Sequence, residues 1–278
     1  MEVIADPVAM HRFSVECRRG GRTVGLVPTM GYLHEGHLSL VAESRRQCDC
    51  TVLSLFVNPI QFGPNEDYEK YPRDERKDLA LCEAAGVDAV FLPSPAVMYA
   101  PDASVTVDES VLSQGLCGAK RPGHFRGVCT VVAKLFNLVQ PDAAVFGEKD
   151  FQQVAVIRRM VRDLNFPIEI IPAPIVREAD GLAKSSRNVY LSAEERRNAL
   201  GLSMSIAAAR TRIRGGETDA AAVLGEVAAI LQGHALRIDY AELVDPDTLE
   251  PQRSARPGLR LILAAYCGRT RLIDNGDV

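Results

Sequence analysis

The chain has 278 residues, 47% of them apolar and 24% charged, with a formal net charge of -4. Those values bound a globular protein of one large domain or two unequal ones. They exclude a general nucleic-acid binder, which needs a basic excess to neutralise a phosphate backbone, yet leave local basic clusters to hold one small anion.

The N-terminal stretch MEVIADPVAMHRF has no basic region followed by an apolar core, and no apolar run is long enough to span a bilayer. No secretory signal or membrane partner is expected, and the cytoplasm is the expected location. Residues 8–20 read as a short helix ending at Gly20-Gly21. Residues 24–37, VGLVPTMGYLHEGH, are the organising stretch. VGLVPT carries no charge and reads as a strand buried on both faces. Met30-Gly31 breaks it, and HEGHLSLVAESRRQ then opens an amphipathic helix. His34 and His37 are three apart, so both rings lean to one side of the first turn. There they add N–H donors to unpaired backbone amides and to the positive end of the helix dipole, a cluster suited to nucleotide phosphates. The plainer alternative is that one His caps the helix and the other packs. Placement directly after a buried strand, with Gly31 and Gly36 permitting close ligand approach, favours the phosphate reading.

CTVLSLFVN (50–58) is a second apolar strand, closed by Pro59, and PIQFGPNEDYEKYPRDE is a polar loop beyond its carboxyl end. DERKDLALCEAAG has helical periodicity, and VDAVFLP (87–93) is a third strand. This β-α-β-α-β order is that of a parallel, doubly wound α/β sheet. Residues 94–126 read as irregular. GVCTVVAKLFNLVQ is a mostly apolar helix, AAVFGEK (143–149) a fourth strand, DFQQVAVIRRMVRDLN a helix and PIEIIPAPIV a fifth strand. Ligands of such sheets bind past the carboxyl ends of the strands. The HEGH turn, NPIQFG, GEKDFQQ and the loop after Val176 all fall on that edge. Beyond residue 176 the style changes. SAEERRNALGLSMSIAAARTRIRGG reads as one helix opened by a capping box, followed by a helix over 218–232 and strands near IDYAELVD, LRLILAAY and TRLIDNG. The expected fold is a Rossmann-like doubly wound sheet over 1–176 with a smaller α+β domain over 177–278.

Four segments carry chemistry. In GEKDFQQ, Gly147 permits close approach, Lys149 offers a cation, Asp150 accepts hydroxyls or contacts a metal ion, and Gln152 and Gln153 offer amides. In READGLAKSSRNVYLS (177–192), Lys184, Ser185, Ser186 and Arg187 place two cations and two hydroxyls in a loop able to close over a polyphosphate. NPIQFG contributes Asn58 and Gln61, neutral groups that suit a small polar substrate. RPGHFRG (121–127) is either a second anion site or a solvated loop. The seven cysteines are odd in number and sit largely in apolar patterns, so buried or incidental thiols are expected rather than disulfides or metal ligands. No dinucleotide-binding glycine fingerprint, P-loop or G-x-S-x-G elbow occurs, and nothing points to a covalent nucleophile.

PTMGYLHEGH, FVNPIQFGPNEDYEKYPR, GEKDFQQ and DGLAKSSRN resemble, in order and in spacing, the motifs of the pantothenate synthetase (pantoate–β-alanine ligase) family. That family lies within the nucleotidyltransferase superfamily that includes class I aminoacyl-tRNA synthetases. The resemblance implies ATP-dependent amide synthesis through an enzyme-bound pantoyl adenylate. His34 and His37 would face the phosphates, His37 donating a hydrogen bond to charge developing in the transition state. Met30, Gly31, Tyr32, Leu33, Glu35 and Gly36 would wrap ATP. Gly147 and Glu148 would lie beside it, with Lys149 on the phosphates and Asp150 on the ribose. Val176, Lys184, Ser185, Ser186 and Arg187 would close the nucleotide site, and Lys149 and Arg187 join the two histidines as the catalytic set. Gln61 and Gln153 would hold pantoate, with Val131 and Val132 as a wall for its gem-dimethyl group. The resemblance further implies Mg²⁺ with the ATP and a homodimer, while the sequence itself shows no dedicated metal-ligand set. One departure is Lys184, where the family usually has Met: its charge either touches phosphate or points to solvent. The alternatives are another superfamily nucleotidyltransferase acting on a different small acid, and a non-catalytic nucleotide-binding regulatory module.

Overall fold

A computed structural model describes residues 1–64 and 66–278; Asn65, inside the polar loop after the second strand read from the sequence, lies outside the described residues. In chain order the first elements are β1 (Glu2–Ile4), α1 (Pro7–Arg19), β2 (Val24–Thr29), α2 (Glu35–Gln47), β3 (Cys50–Leu55), α3 (Glu75–Ala84) and β4 (Ala89–Phe91). Two short helices follow, α4 (Pro95–Met98) and α5 (Leu116–Lys120), then α6 (His124–Val139), β5 (Ala143–Gly147), α7 (Phe151–Asp163) and β6 (Glu169–Ala173). The C-terminal part comprises α8 (Ala193–Ala199), α9 (Gly201–Arg214), α10 (Ala220–Gly233), β7 (Arg237–Val244), β8 (Arg260–Cys267) and β9 (Thr270–Asp277).

Two compact units emerge. One comprises Met1–Ser113, Gly118–Glu148 and Gln153–Pro174; the other comprises Gln114–Cys117, Lys149–Gln152 and Ile175–Val278. In the first unit all strand pairs are parallel, in the order β1-β4-β3-β2-β5-β6. Val27, Leu53, Val90 and Val145 are fully buried and share a cluster with Leu40 and Val41 of α2 and Cys82 of α3. Their neighbours Leu26 and Val52 are equally buried and point to the opposite face by strand alternation. There α1 and α6 pack against each other and against β2. The sheet is therefore apolar on both faces, which is why its strands read as uncharged runs rather than alternating ones. The order reverses between β2 and β5, so the switch point lies where the HEGH turn leaves β2.

The second unit holds an antiparallel sheet, β7-β8-β9. Leu243, Leu261 and Leu263 of that sheet are covered by Leu202, Ile206 and Ile213 of α9 and by Val223, Val227 and Leu231 of α10.

Three sequence expectations change. β1 is absent from the sequence reading, because three residues carry no periodicity; it forms by pairing in register with β4. The single helix expected from Ser192 is interrupted at Leu200, whose N–H turns to the carbonyl of Arg197. A Cβ on the next residue, Gly201, would stand 2.8 Å from the Cβ of His234, so glycine lets that turn press against the end of α10. The stretch 94–126 contains α4 and α5, helices too short to register as a pattern. Among the described residues all seven cysteines are free thiols, and no helix is long and apolar enough to cross a membrane.

Candidate active site

The turn after β2 explains why the two histidines stand where they do. Gly31 and Tyr32 both adopt left-handed backbone, at φ +82 and +51. Glycine fits the first position, because a Cβ there would approach a carboxylate oxygen of Asp78 to 3.0 Å. The Asp78 carboxylate accepts from the backbone N–H groups of Tyr32 and Leu33, each at 2.7 Å. Burial pushes this carboxyl above its usual value, and the two backbone donors pull it back. His34 then caps α2 with extended backbone, its Nδ1 accepting from Gly36 N–H at 3.1 Å. The Nδ1 of His37 in turn accepts from His34 N–H at 3.3 Å. The ring centroids lie 4.1 Å apart, tilted by 35°.

This double cap revises both readings of the pair. The two histidines cap the helix together, whereas the plain alternative has one capping and one packing. Because each Nδ1 is an acceptor, the proton of each neutral ring sits on Nε2. Two backbone amides that sequence spacing would leave for an anion are occupied by imidazole nitrogens. The ring Nε2–H groups replace them as donors.

The NPIQFG segment is built into the same unit. Gln61 is 8% exposed, and its Nε2 donates to the sulfur of Met30 at 3.2 Å, which joins this segment to the HEGH turn. Asn58 donates to Gln61 Oε1 at 3.0 Å and to the Gly127 carbonyl at 3.1 Å, and accepts from the Tyr99 hydroxyl at 2.8 Å. A Cβ on Gly127 would stand 2.7 Å from Gln61 Cα, so only glycine lets α6 come this close. Val131 lies one turn further on the same helix face, and Val131 and Val132 are buried. The Gln61 amide thus lies beside Met30, on the segment that Gly127 of α6 approaches closely.

Two of the three basic residues of RPGHFRG, Arg121 and His124, are engaged within the protein, while Arg126 is exposed. Arg121 forms a two-pronged pair with Glu66, at 2.7 and 2.5 Å, and donates to His124 Nε2 at 3.1 Å. His124, 8% exposed, bonds through Nδ1 to the Gln61 carbonyl at 2.9 Å. Burial raises the Glu66 carboxyl, but hydrogen bonds and charge from Arg121 outweigh it and hold the group below its usual value. The motif anchors the backbone of Gln61.

Lys149, which belongs to the second unit, lies in the short helical turn Glu148–Asp150; its ammonium is 3.6 Å from Asp150 and its carbonyl accepts from Asn275 at 2.9 Å. Gln152 is engaged structurally: its amide accepts from Cys117 N–H and donates to the Gly115 carbonyl. Gln153, next in the chain, belongs to the first unit. The loop after Val176 folds back on itself. Arg177 pairs with Ala183, and Lys184 N–H donates to the Val176 carbonyl at 2.9 Å, so Val176 and Lys184 are neighbours. Ser185 accepts from Arg187 N–H and caps the turn Ser186–Tyr190. Burial raises the Glu178 carboxyl, yet bonds from Arg196 and Asn188 and the charges of Arg196 and Lys184 keep it below its usual value. The Lys184 charge therefore has an acidic neighbour within its own loop.

Sequence reasoning passes over Asp78, Tyr99 and Glu66. Each is an ordinary polar residue in a helix or loop until a partner far along the chain gives it a task. The one available signal is Asp78, a charged residue on a helix packed against an apolar sheet.

The family model described as pantoate-beta-alanine ligase matches residues 2–277. The chain belongs to that family. It is 57% identical to the pantothenate synthetase of Anaeromyxobacter dehalogenans, covering 99% of this chain and 98% of that protein. To the pantothenate synthetase of Thermotoga petrophila it is 54% identical, with 99% of each covered. Among solved structures, the pantothenate synthetase of Thermus thermophilus matches 100% of this chain and 99% of its own with a TM-score of 0.94 at 46% identity. The pantoate-beta-alanine ligase of Francisella tularensis, solved with beta-gamma ATP and beta-alanine, matches 100% of this chain and 97% of its own, with a TM-score of 0.84 at 30% identity. The α/β architecture expected from the sequence is thus that of the family, parallel sheet and small antiparallel sheet included.

Proposed function

We propose that this chain joins pantoate to β-alanine in two steps, with the residues above in defined roles. In the first step a pantoate carboxylate oxygen attacks the α-phosphorus of ATP, and pyrophosphate leaves with the electrons of the broken P–O bond. In the second the free amine of β-alanine attacks the acyl carbon, AMP departs, and the amine's proton passes to solvent. Adenylation is needed because oxide is a poor leaving group from a carboxylate. Such phosphoryl chemistry requires positioning and charge stabilisation rather than a protein nucleophile.

The observation that carries this reading is the double cap at His34 and His37, which fixes two Nε2–H donors at the switch point of the sheet. His37 donates to the α-phosphoryl oxygens as charge builds, and His34 donates beside it. Met30 to Gly36 wrap the triphosphate. Gly147, Glu148, Lys149 and Asp150, together with Val176, Lys184, Ser185, Ser186 and Arg187, supply the remaining nucleotide contacts. Gln61 and Gln153 take the pantoate oxygens, and Val131 and Val132 face its methyl groups. Residues 1–176 bind the substrates and 177–278 complete the nucleotide site. Mg²⁺ would come with the triphosphate and would supply charge to offset that of its oxygens, since this ion keeps several waters and binds substrate phosphates readily. Among the described residues no group of three or more His, Cys, Asp or Glu is arranged to hold a metal. A cytoplasmic homodimer completes the proposal; free thiols suit a reducing compartment.

Pyrophosphate exchange is the direct test. Purified protein is expected to move labelled pyrophosphate into ATP when pantoate is present and β-alanine is absent. Exchange that ignores pantoate would favour a different acid substrate, and no exchange at all would favour a regulatory module. Lys184→Met, which restores the usual family residue, is expected to shift the KM for ATP with little effect on kcat. A change of about tenfold in kcat would instead put Lys184 on the reacting phosphates.

A further inference from the structure

We propose that Asp78 is a positioning residue for nucleotide binding. From α3 it holds the turn that aims His34 and His37, and so governs ATP without touching it. The inference rests on the assignment of that turn to ATP.

Asp78 is 3% exposed, yet neither carboxylate oxygen serves the helix that carries it. One accepts from Tyr32 N–H and the other from Leu33 N–H, both at 2.7 Å, the short range of charge-assisted bonds. These are consecutive amides, which one carboxylate can reach together only while the chain keeps its present bend. The bend needs help. Tyr32 holds φ +51, a region disfavoured for a side chain of this size. The Lys77 ammonium, 5.3 Å from the centroid of the Tyr32 ring, secures the same residue from outside. The support is itself rigid: Asp74 caps α3 by accepting from Lys77 N–H, and Cys82 is fully buried in the cluster that contains Leu40 and Val41 of α2. One core block thus holds both the turn and the helix the turn leads into.

Without the carboxylate, Tyr32 is free to relax to negative φ, and His34, two residues on, moves with it. Misplacement on the ångström scale at a reacting centre costs on the order of 100-fold. Besides its bond to Met30, Gln61 is held by Asn58 and His124, which also anchor the pantoate side, so the defect falls mainly on the nucleotide.

Asp78→Asn keeps the shape, leaves one acceptor and turns an NH₂ group toward a backbone N–H. In the exchange assay it is expected to lower kcat/KM for ATP by about tenfold or more while the KM for pantoate stays within about twofold. Unchanged ATP kinetics, or equal losses for ATP and pantoate, would overturn the proposal. Should Asp78→Asn fail to fold, Tyr32→Asn is added, because asparagine tolerates the left-handed region. The double variant is expected to regain folding and part of the ATP kinetics, and one no better than Asp78→Asn overturns the proposal. His37→Ala in the same assay keeps the two ideas apart. If it too is unimpaired, the assignment of the turn to ATP fails; if it alone is impaired, only the role of Asp78 fails.

Discussion

His37→Ala is expected to reduce turnover by about 100- to 1,000-fold, the loss of roughly 2.7–4 kcal/mol of transition-state stabilisation that follows removal of one donor to a developing oxyanion. The ring has two duties that a single deletion merges. Its Nδ1 accepts from the His34 N–H, and in the proposed mechanism its Nε2–H donates to the α-phosphoryl oxygens. Deleting the cap alone is worth about 0.5–2 kcal/mol of helix stability. His37→Gln separates the duties, because glutamine at the third helical position is a natural reciprocal cap for the residue that opens a helix. That variant is expected to recover the melting temperature of the parent while its turnover stays low. Turnover of either variant equal to the parent would remove His37 from its role.

Arg177→Met is expected to destabilise the protein by about 3 kcal/mol, the low end for breaking a buried ion pair by removing one partner. Arg177 reaches Asp274 of β9 with two parallel bonds at 2.7 and 2.8 Å. Asp274 is 1% exposed, so the deletion leaves a carboxylate in the interior with one backbone donor, Asn275 N–H. The arginine side chain is 31% exposed, which is why the low end of the range applies. Urea unfolding reads the effect. Replacing both partners by apolar residues, Arg177→Met with Asp274→Leu, is expected to recover most of it, because no unpaired charge then remains. A single variant as stable as the parent would make the pair a bystander. The same arginine donates to the Gly181 carbonyl and so ties down the fold-back that sets Val176 beside Lys184. A raised KM for ATP in the single variant follows from that connection.

Wherever physics is local, the chain announced itself. VGLVPT and CTVLSL are uncharged because their strands are covered on both faces, and that property is written residue by residue. Ser192 and Glu195 form the reciprocal cap that their spacing indicates. His34 and His37 meet because residues three apart on a helix are neighbours in any fold. The order of most strands and helices follows from the same local signals, and with it the parallel sheet.

Tertiary structure decided the rest, through pairs no local window contains. Tyr32 meets Asp78 across 46 residues, Glu66 meets Arg121 across 55, and Gln61 meets His124 across 63. Before folding, Asp78 is one more charge on an amphipathic helix, and RPGHFRG is a basic loop awaiting an anion. After folding, the first holds a strained turn and the second holds the backbone of Gln61. The strand β1 and the break before Gly201 belong to the same class, since each exists only against a distant partner, β4 or His234. Burial gives such contacts their strength, because a carboxylate removed from water must find donors wherever the fold supplies them. Sequence thus determined which chemistry the chain can carry, and packing determined how those groups are held in place.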